Sequence, residues 1–166
     1  MKKIIGFIPH VIAVFAAAVF LDSLRYKFTD APETQEIFGR LDGWAGTLGL
    51  GGLFSETGLF SQYTIGTAEL FASALLLIGI IPALRRLQAL GALIALAVMS
   101  GAVSFHLFTP LGIDPNNDGG GLFAMAVTVW LASIAYLVFH RKTLISIVTG
   151  IGRAILPGIS TGSDTA

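Results

Sequence analysis

Apolar residues run almost continuously through four stretches of this chain, without the one-faced stripe of a soluble helix. A bilayer's hydrocarbon core is about 30 Å thick, which an α-helix crosses with roughly 20 residues. The four runs extend from about Ile4 to Leu24, Gln62 to Ala83, Leu87 to Phe108 and Gly121 to Phe139. Each is apolar around most of its circumference, which suits lipid on all sides. The pattern predicts an all-α fold, an integral membrane four-helix bundle over residues 1–142. It adds an outward-facing insert between the first and second spans and a short C-terminal interfacial helix.

The links between runs are uneven. The second and third runs meet in a tight turn at "IPALRRLQ", which makes them antiparallel neighbours. Between the first and second, "DAPETQEIF" has the form of a helix start, with Asp30 as cap, Pro32 behind it and acids in the first turn. The glycine-rich apolar stretch "WAGTLGLGGLFSETGLF", Trp44–Phe60, is expected to lie at or dip into the outer interface. After the fourth run, "TLISIVTGIGRAIL" puts Leu144, Ile147, Val148, Ile151 and Ile155 on one helical face, the pattern of an amphipathic surface helix over residues 143–156. Residues 157–166 are expected to be a disordered tail.

Composition agrees with an apolar solvent: 54% of residues are hydrophobic and 12% charged, where soluble domains carry about 25% charged residues. Net charge is formally zero, so there is no basic field for nucleic acid. The absence of cysteine excludes disulfides, thiol catalysis, thiolate zinc sites and cysteine-held iron–sulfur clusters. Lys2 and Lys3 before an apolar run with an Ala triplet resemble a signal peptide, but a retained anchor is the expected reading. Lys2, Lys3, Arg85, Arg86, Arg141 and Lys142 fall on one side of a four-span path, and Arg25, Lys27 and Arg40 on the other among many acids. This bias predicts both termini in the cytoplasm and, in a bacterium, residence in the inner membrane.

Polar residues near the apolar runs supply the candidate chemistry. Asp114, Asn116, Asp118 and Gly119 match the first half of a calcium loop, but the twelfth position is Met125 where a bidentate glutamate is required. A turn at Pro115, with Asp118 capping the next helix, needs less, so no metal is expected beyond that weak candidate trio. Glu69 is the one acid well inside a run, and an intramembrane carboxylate usually faces a partner or a cavity. Arg25, Lys27, His106 and Asp118 are expected at the same outer end. Two readings stand. Glu69 pairs with Arg25 or Lys27 and ties the first two helices together, or Glu69 and His106 belong to a polar pocket for a quinone or similar molecule. His10 and His140 on the inner side have the residue type to ligate haem, but His140 belongs to the basic run "HRK". Trp44, Trp130, Tyr63 and Tyr136 are expected as interfacial anchors or packing residues. Gly91, Ala95, Ser100 and Ala102 are expected to permit close helix approach.

Three stretches, "LDSLRYKFTDAPETQEIF", "IGTAELFASALLLIGIIPALRRLQALGALIALAVMSGAVSFHLFTPLG" and "DGGGLFAMAV", resemble the DoxX-like family of small four-helix bacterial membrane proteins. The resemblance covers about residues 5–140, and by position its motif residues are Arg25, Lys27, Glu69, His106 and Asp118. Some members of that family resemble a subunit of thiosulfate:quinone oxidoreductase, and others are associated with membrane redox or stress complexes. The glycine-rich insert departs from the shorter family pattern. The resemblance implies, first, an accessory or assembly subunit docked on other membrane proteins. A quinone-linked oxidoreductase subunit is the alternative. A small-solute transporter is a weaker one, as no broken-helix pair or inverted repeat is evident.

Overall fold

The structure, a computed structural model, describes residues 2–155. Its elements are all helical: α1 (Lys2–Lys27), α2 (Pro32–Thr47), α3 (Gln62–Ile78), a 3₁₀ turn (Pro82–Leu84), α4 (Arg85–Phe108), α5 (Gly121–Phe139) and α6 (Arg141–Ile155). No strand occurs among the described residues. The tail expected at 157–166 lies outside them.

Three stretches, Phe7–Lys27, Pro82–Phe108 and Gly121–Phe139, are long and apolar enough to cross a membrane. The second apolar run behaves differently from the expectation that it continues as helix to Ala83. α3 stops at Ile78 after 17 residues, a rise of about 25 Å. Pro82 has no N–H to offer and keeps Ile81 extended at ψ 125°, so the chain turns before α4 begins. Gly79 sits in that corner, where an added Cβ would come within 2.3 Å of the Gln88 backbone nitrogen.

α1, α3, α4 and α5 form a four-membered ring in which α3 and α5 each pack on both α1 and α4. Alanines make the seam: Ala13, Ala16, Ala17, Ala72, Ala89, Ala92 and Ala95 are all buried. Small residues let helix backbones come close where lipid supplies no hydrophobic drive to pack. Among the glycines within these helices Gly91 is the tightest, its would-be Cβ 2.8 Å from Leu76 N and 2.9 Å from Ala72 O across the α3–α4 contact. Large apolar side chains such as Phe7, Phe71, Leu131 and Phe139 point outward instead, the arrangement a lipid solvent favours.

The insert is a folded cap rather than a strip of chain on a surface. α2 runs on through Trp44 and ends in a Schellman motif: Leu50 N donates to Ala45 O at 2.9 Å and Gly49 N to Gly46 O at 3.1 Å, with Gly49 at φ +77°. Leu41, Ala45, Phe54 and Leu111 then bury one another in a second small core. Phe54 meets Phe105 of α4 edge to face at 5.1 Å, and its N–H donates to Asp42 Oδ1 at 3.0 Å. The cap is therefore fastened to the end of α4 and to the loop before α5. α6 lies at the opposite end, where Leu144 and Ile147 pack on the bundle and Ile145 points away.

Candidate functional site

Of the five residues expected together at the outer end, Arg25, Lys27, Glu69, His106 and Asp118, the fold brings Lys27 and Glu69 into contact. Lys27 Nζ, at the end of α1, donates to Glu69 Oε1 at 3.1 Å and Oε2 at 3.0 Å, and also to Ser23 Oγ one turn back. Glu69 is 2% exposed. A lysine at the last turn of α1 can extend its apolar stem along the helix and place its ammonium against a carboxylate two turns inside α3. The Lys27–Glu69 pair thus ties α1 to α3.

The other candidates go elsewhere. Arg25 turns outward and bonds Asp22 on its own helix at 2.9 Å, both exposed. His106 is buried and its Nδ1 lies 2.6 Å from Gly112 O. A carbonyl only accepts, so Nδ1 carries the proton, and the imidazole closes the turn that leaves α4. Gly112 takes φ +70°, a backbone that side-chain-bearing residues rarely adopt. Phe123 of α5 flanks the ring at 5.4 Å.

In the loop from Asp114 to Asp118 the carboxylates point at backbone. Asp114 Oδ1 accepts from Asp118 N at 2.8 Å, and Asp118 accepts from Gly120 N at 3.0 Å and Leu122 N at 2.7 Å. The Leu122 N–H, above all, holds the Asp118 carboxyl below the usual carboxylate range. These bonds engage three of the four carboxylate oxygens of the two aspartates. Among the described residues no three histidines or carboxylates cluster in a way that could hold a metal.

Asp30 does something the sequence pattern missed. α2 begins at Pro32 behind Ala31, and no side chain caps it. Asp30 instead takes φ +53° and accepts from Tyr63 OH at 2.6 Å and from Gln62 Nε2. Gln62 also donates to Lys27 O at 2.9 Å and accepts from Gln35 Nε2 at 2.9 Å. One turn residue therefore gathers α1, α2 and α3 just beyond the ion pair. A glutamine at the start of an apolar run was the available signal.

A second polar group lies at the other end of the bundle. Gln88, 1% exposed, accepts from Tyr136 OH at 3.0 Å, and its amide nitrogen faces Leu76 O at 3.3 Å and His10 Nδ1 at 3.4 Å. Tyr136 stacks on His140 with ring centroids 4.4 Å apart, and His140 Nδ1 lies 3.1 Å from Tyr136 O. His10 and His140 are each engaged with a neighbouring polar group and not with one another. The sequence signal here was the lone amide inside the apolar run of α4.

Fold and polar groups together define a class: an all-helical bundle with lipid-suited faces, a folded cap at one end and internally paired polar side chains. Comparison of the chain with family models, with curated proteins and with solved structures returns no match.

Proposed function

We propose that the protein is a DoxX-like, four-span protein of the bacterial inner membrane, with both termini cytoplasmic, and that it serves as an accessory or assembly subunit of a larger membrane redox complex. The observation that carries this reading is the cap. It is a folded unit fixed to α4 through Phe54 and Phe105, yet it displays Leu48, Leu50 and Leu59 to the outside, Leu59 at 69% exposure. Three large apolar side chains left exposed on one folded element favour a docking site there. Beneath the cap, Glu69 is engaged by Lys27 and His106 by Gly112, which supports a structural role for both over acid–base chemistry.

The test replaces what the cap shows and leaves its core. The triple variant Leu48→Ser/Leu50→Ser/Leu59→Ser keeps Leu41, Ala45 and Phe54. Native mass spectrometry of gently solubilised membranes should find the wild-type chain in a hetero-complex and the triple variant alone. A wild-type chain that never carries a second subunit, or a complex indifferent to the three serines, overturns the proposal.

A further inference from the structure

The end of the bundle away from the cap carries a feature that neither helix packing nor docking at the cap uses. A cavity of about 270 Å³ opens there between the starts of α1 and α4 and the end of α5, lined by His10, Arg85, Gln88, Phe139 and His140 among others. A second, open cavity of about 480 Å³ shares His10 and runs along α1, where Phe7, Val11, Val14 and Phe15 lie with Ile80. The first is faced by hydrogen-bond donors and a cation. The second is apolar apart from the shared histidine. A cavity that holds a cation and hydrogen-bond donors, sharing His10 with an apolar groove, suits an amphiphile.

We propose that these two cavities hold one anionic phospholipid, its phosphate at Arg85 and His10 and an acyl chain along Val11 and Val14.

Charge chooses the head. Apart from Asp164, every acidic residue of the chain lies on the opposite side, from Asp22 to Asp118, while Arg85, Arg86, Arg141 and Lys142 surround this end. Arg85 makes no ion pair among the described residues, and a guanidinium matches phosphate oxygens in pairs. Gln88 sets the nearer histidine. Its oxygen is taken by Tyr136, so its NH₂ faces His10 Nδ1. That leaves the His10 proton on Nε2, the nitrogen still available to a phosphate oxygen.

Depth agrees with this choice. From Lys27 back to His10 the helix rises about 25 Å, so a residue near one face of a core about 30 Å thick is matched by His10 near the other, where lipid phosphates begin. The groove along α1 then runs toward the bilayer centre, as an acyl chain does. The inference rests on the bundle being membrane-embedded. It does not depend on which subunits dock at the cap.

The experiment uses the full chain, delipidated in detergent, with native mass spectrometry reading retained lipid. The probes are dioleoylphosphatidylglycerol, dioleoylphosphatidylcholine and inorganic phosphate. Phosphatidylglycerol should be retained over phosphatidylcholine. Arg85→Gln, at an exposed position, should reduce its retention by about fivefold, the effect of one cation near an anionic headgroup. Val11→Trp, which fills the groove, should reduce it as well, and Arg25→Gln at the capped end should leave it unchanged. Equal retention of both lipids, indifference to Arg85→Gln and Val11→Trp in variants that melt as the wild type does, or displacement of lipid by millimolar inorganic phosphate would each overturn the proposal. Since binding is read in micelles, its failure is distinct from failure of the assigned membrane orientation.

Discussion

Lys27 and Glu69 pose a residue-scale choice between a bond that holds helices and a group poised for chemistry. Removing one partner of a buried ion pair leaves the other charge uncompensated, at a cost of about 3 kcal/mol or more, whereas replacing both with apolar residues is often neutral. Lys27→Met should therefore lower thermal stability in detergent markedly, and Lys27→Met/Glu69→Leu should recover most of the loss. A double variant as unstable as the sum of its single changes would show that the two side chains act independently, against a pair that joins α1 to α3. The sequence made Glu69 conspicuous because a lone carboxylate in an apolar run is costly. It named two partners, Arg25 and Lys27, and could not separate them. Arg25 lies three residues after Asp22 and takes that surface pair, while Lys27, two residues further round the helix, faces α3. Helical phase decides between the two, and phase was open until the contact between α1 and α3 was known. Asp30 was misjudged for a related reason. An aspartate before proline suits a cap, but the three donors offered by α2 and α3 draw its carboxylate into a link between elements.

At the scale of elements, α4 carries the sharpest packing demand. Gly91 and Gly101 lie on the same helix in opposite circumstances. A Cβ at Gly91 meets the α3 backbone at 2.8 Å and 2.9 Å, while at Gly101 it meets only Phe105 Cε2 at 3.9 Å. Gly91→Ala should force α3 and α4 apart and cost about 1–3 kcal/mol. Gly101→Ala should be neutral or stabilising by up to about 1 kcal/mol, the helix-propensity gain of alanine. Thermal unfolding of both variants in one detergent checks the contrast, and equal effects would mean that the α3–α4 contact is looser than its geometry requires. The small-residue pattern at Gly91 and Ala95 was legible because small residues in an apolar run have few other uses. Its details were not. Ser100 accepts a hydrogen bond at 2.9 Å from Trp130 Nε1, so that tryptophan joins α5 to α4, the packing role that was one of its two expected uses. The small core of the cap was also hidden, since Leu41, Phe54, Phe105 and Leu111 come from α2, the loop after it, α4 and the loop before α5 and share no local periodicity.

For the whole molecule, the question is whether the bundle crosses the membrane three times or four. Length alone leaves α3 short, about 25 Å against a core about 30 Å thick. Its contacts argue that it covers the same depth as its neighbours. At one end Gln62 and Glu69 meet Lys27, where α1 finishes. At the other, Leu76 O meets Gln88, which also faces His10 near the start of α1. α3 therefore runs alongside α1 between the levels of Lys27 and His10, which supports the proposed fourth crossing. The apolar residues Ile80 and Ile81 after Gly79 make up the remaining thickness, and a modest mismatch costs little. Parity makes this testable. With four crossings Thr57 in the cap and Ala83 before α4 lie on opposite sides, and without an α3 crossing they share one. The chain has no cysteine, so Thr57→Cys and Ala83→Cys each introduce a single label site. In spheroplasts, an impermeant maleimide should react with the cysteine at position 57 at once and with that at position 83 only after permeabilisation. Labelling of both from outside would place α3 on the surface, and then the buried Lys27–Glu69 contact that fixes its depth could not be as the structure has it.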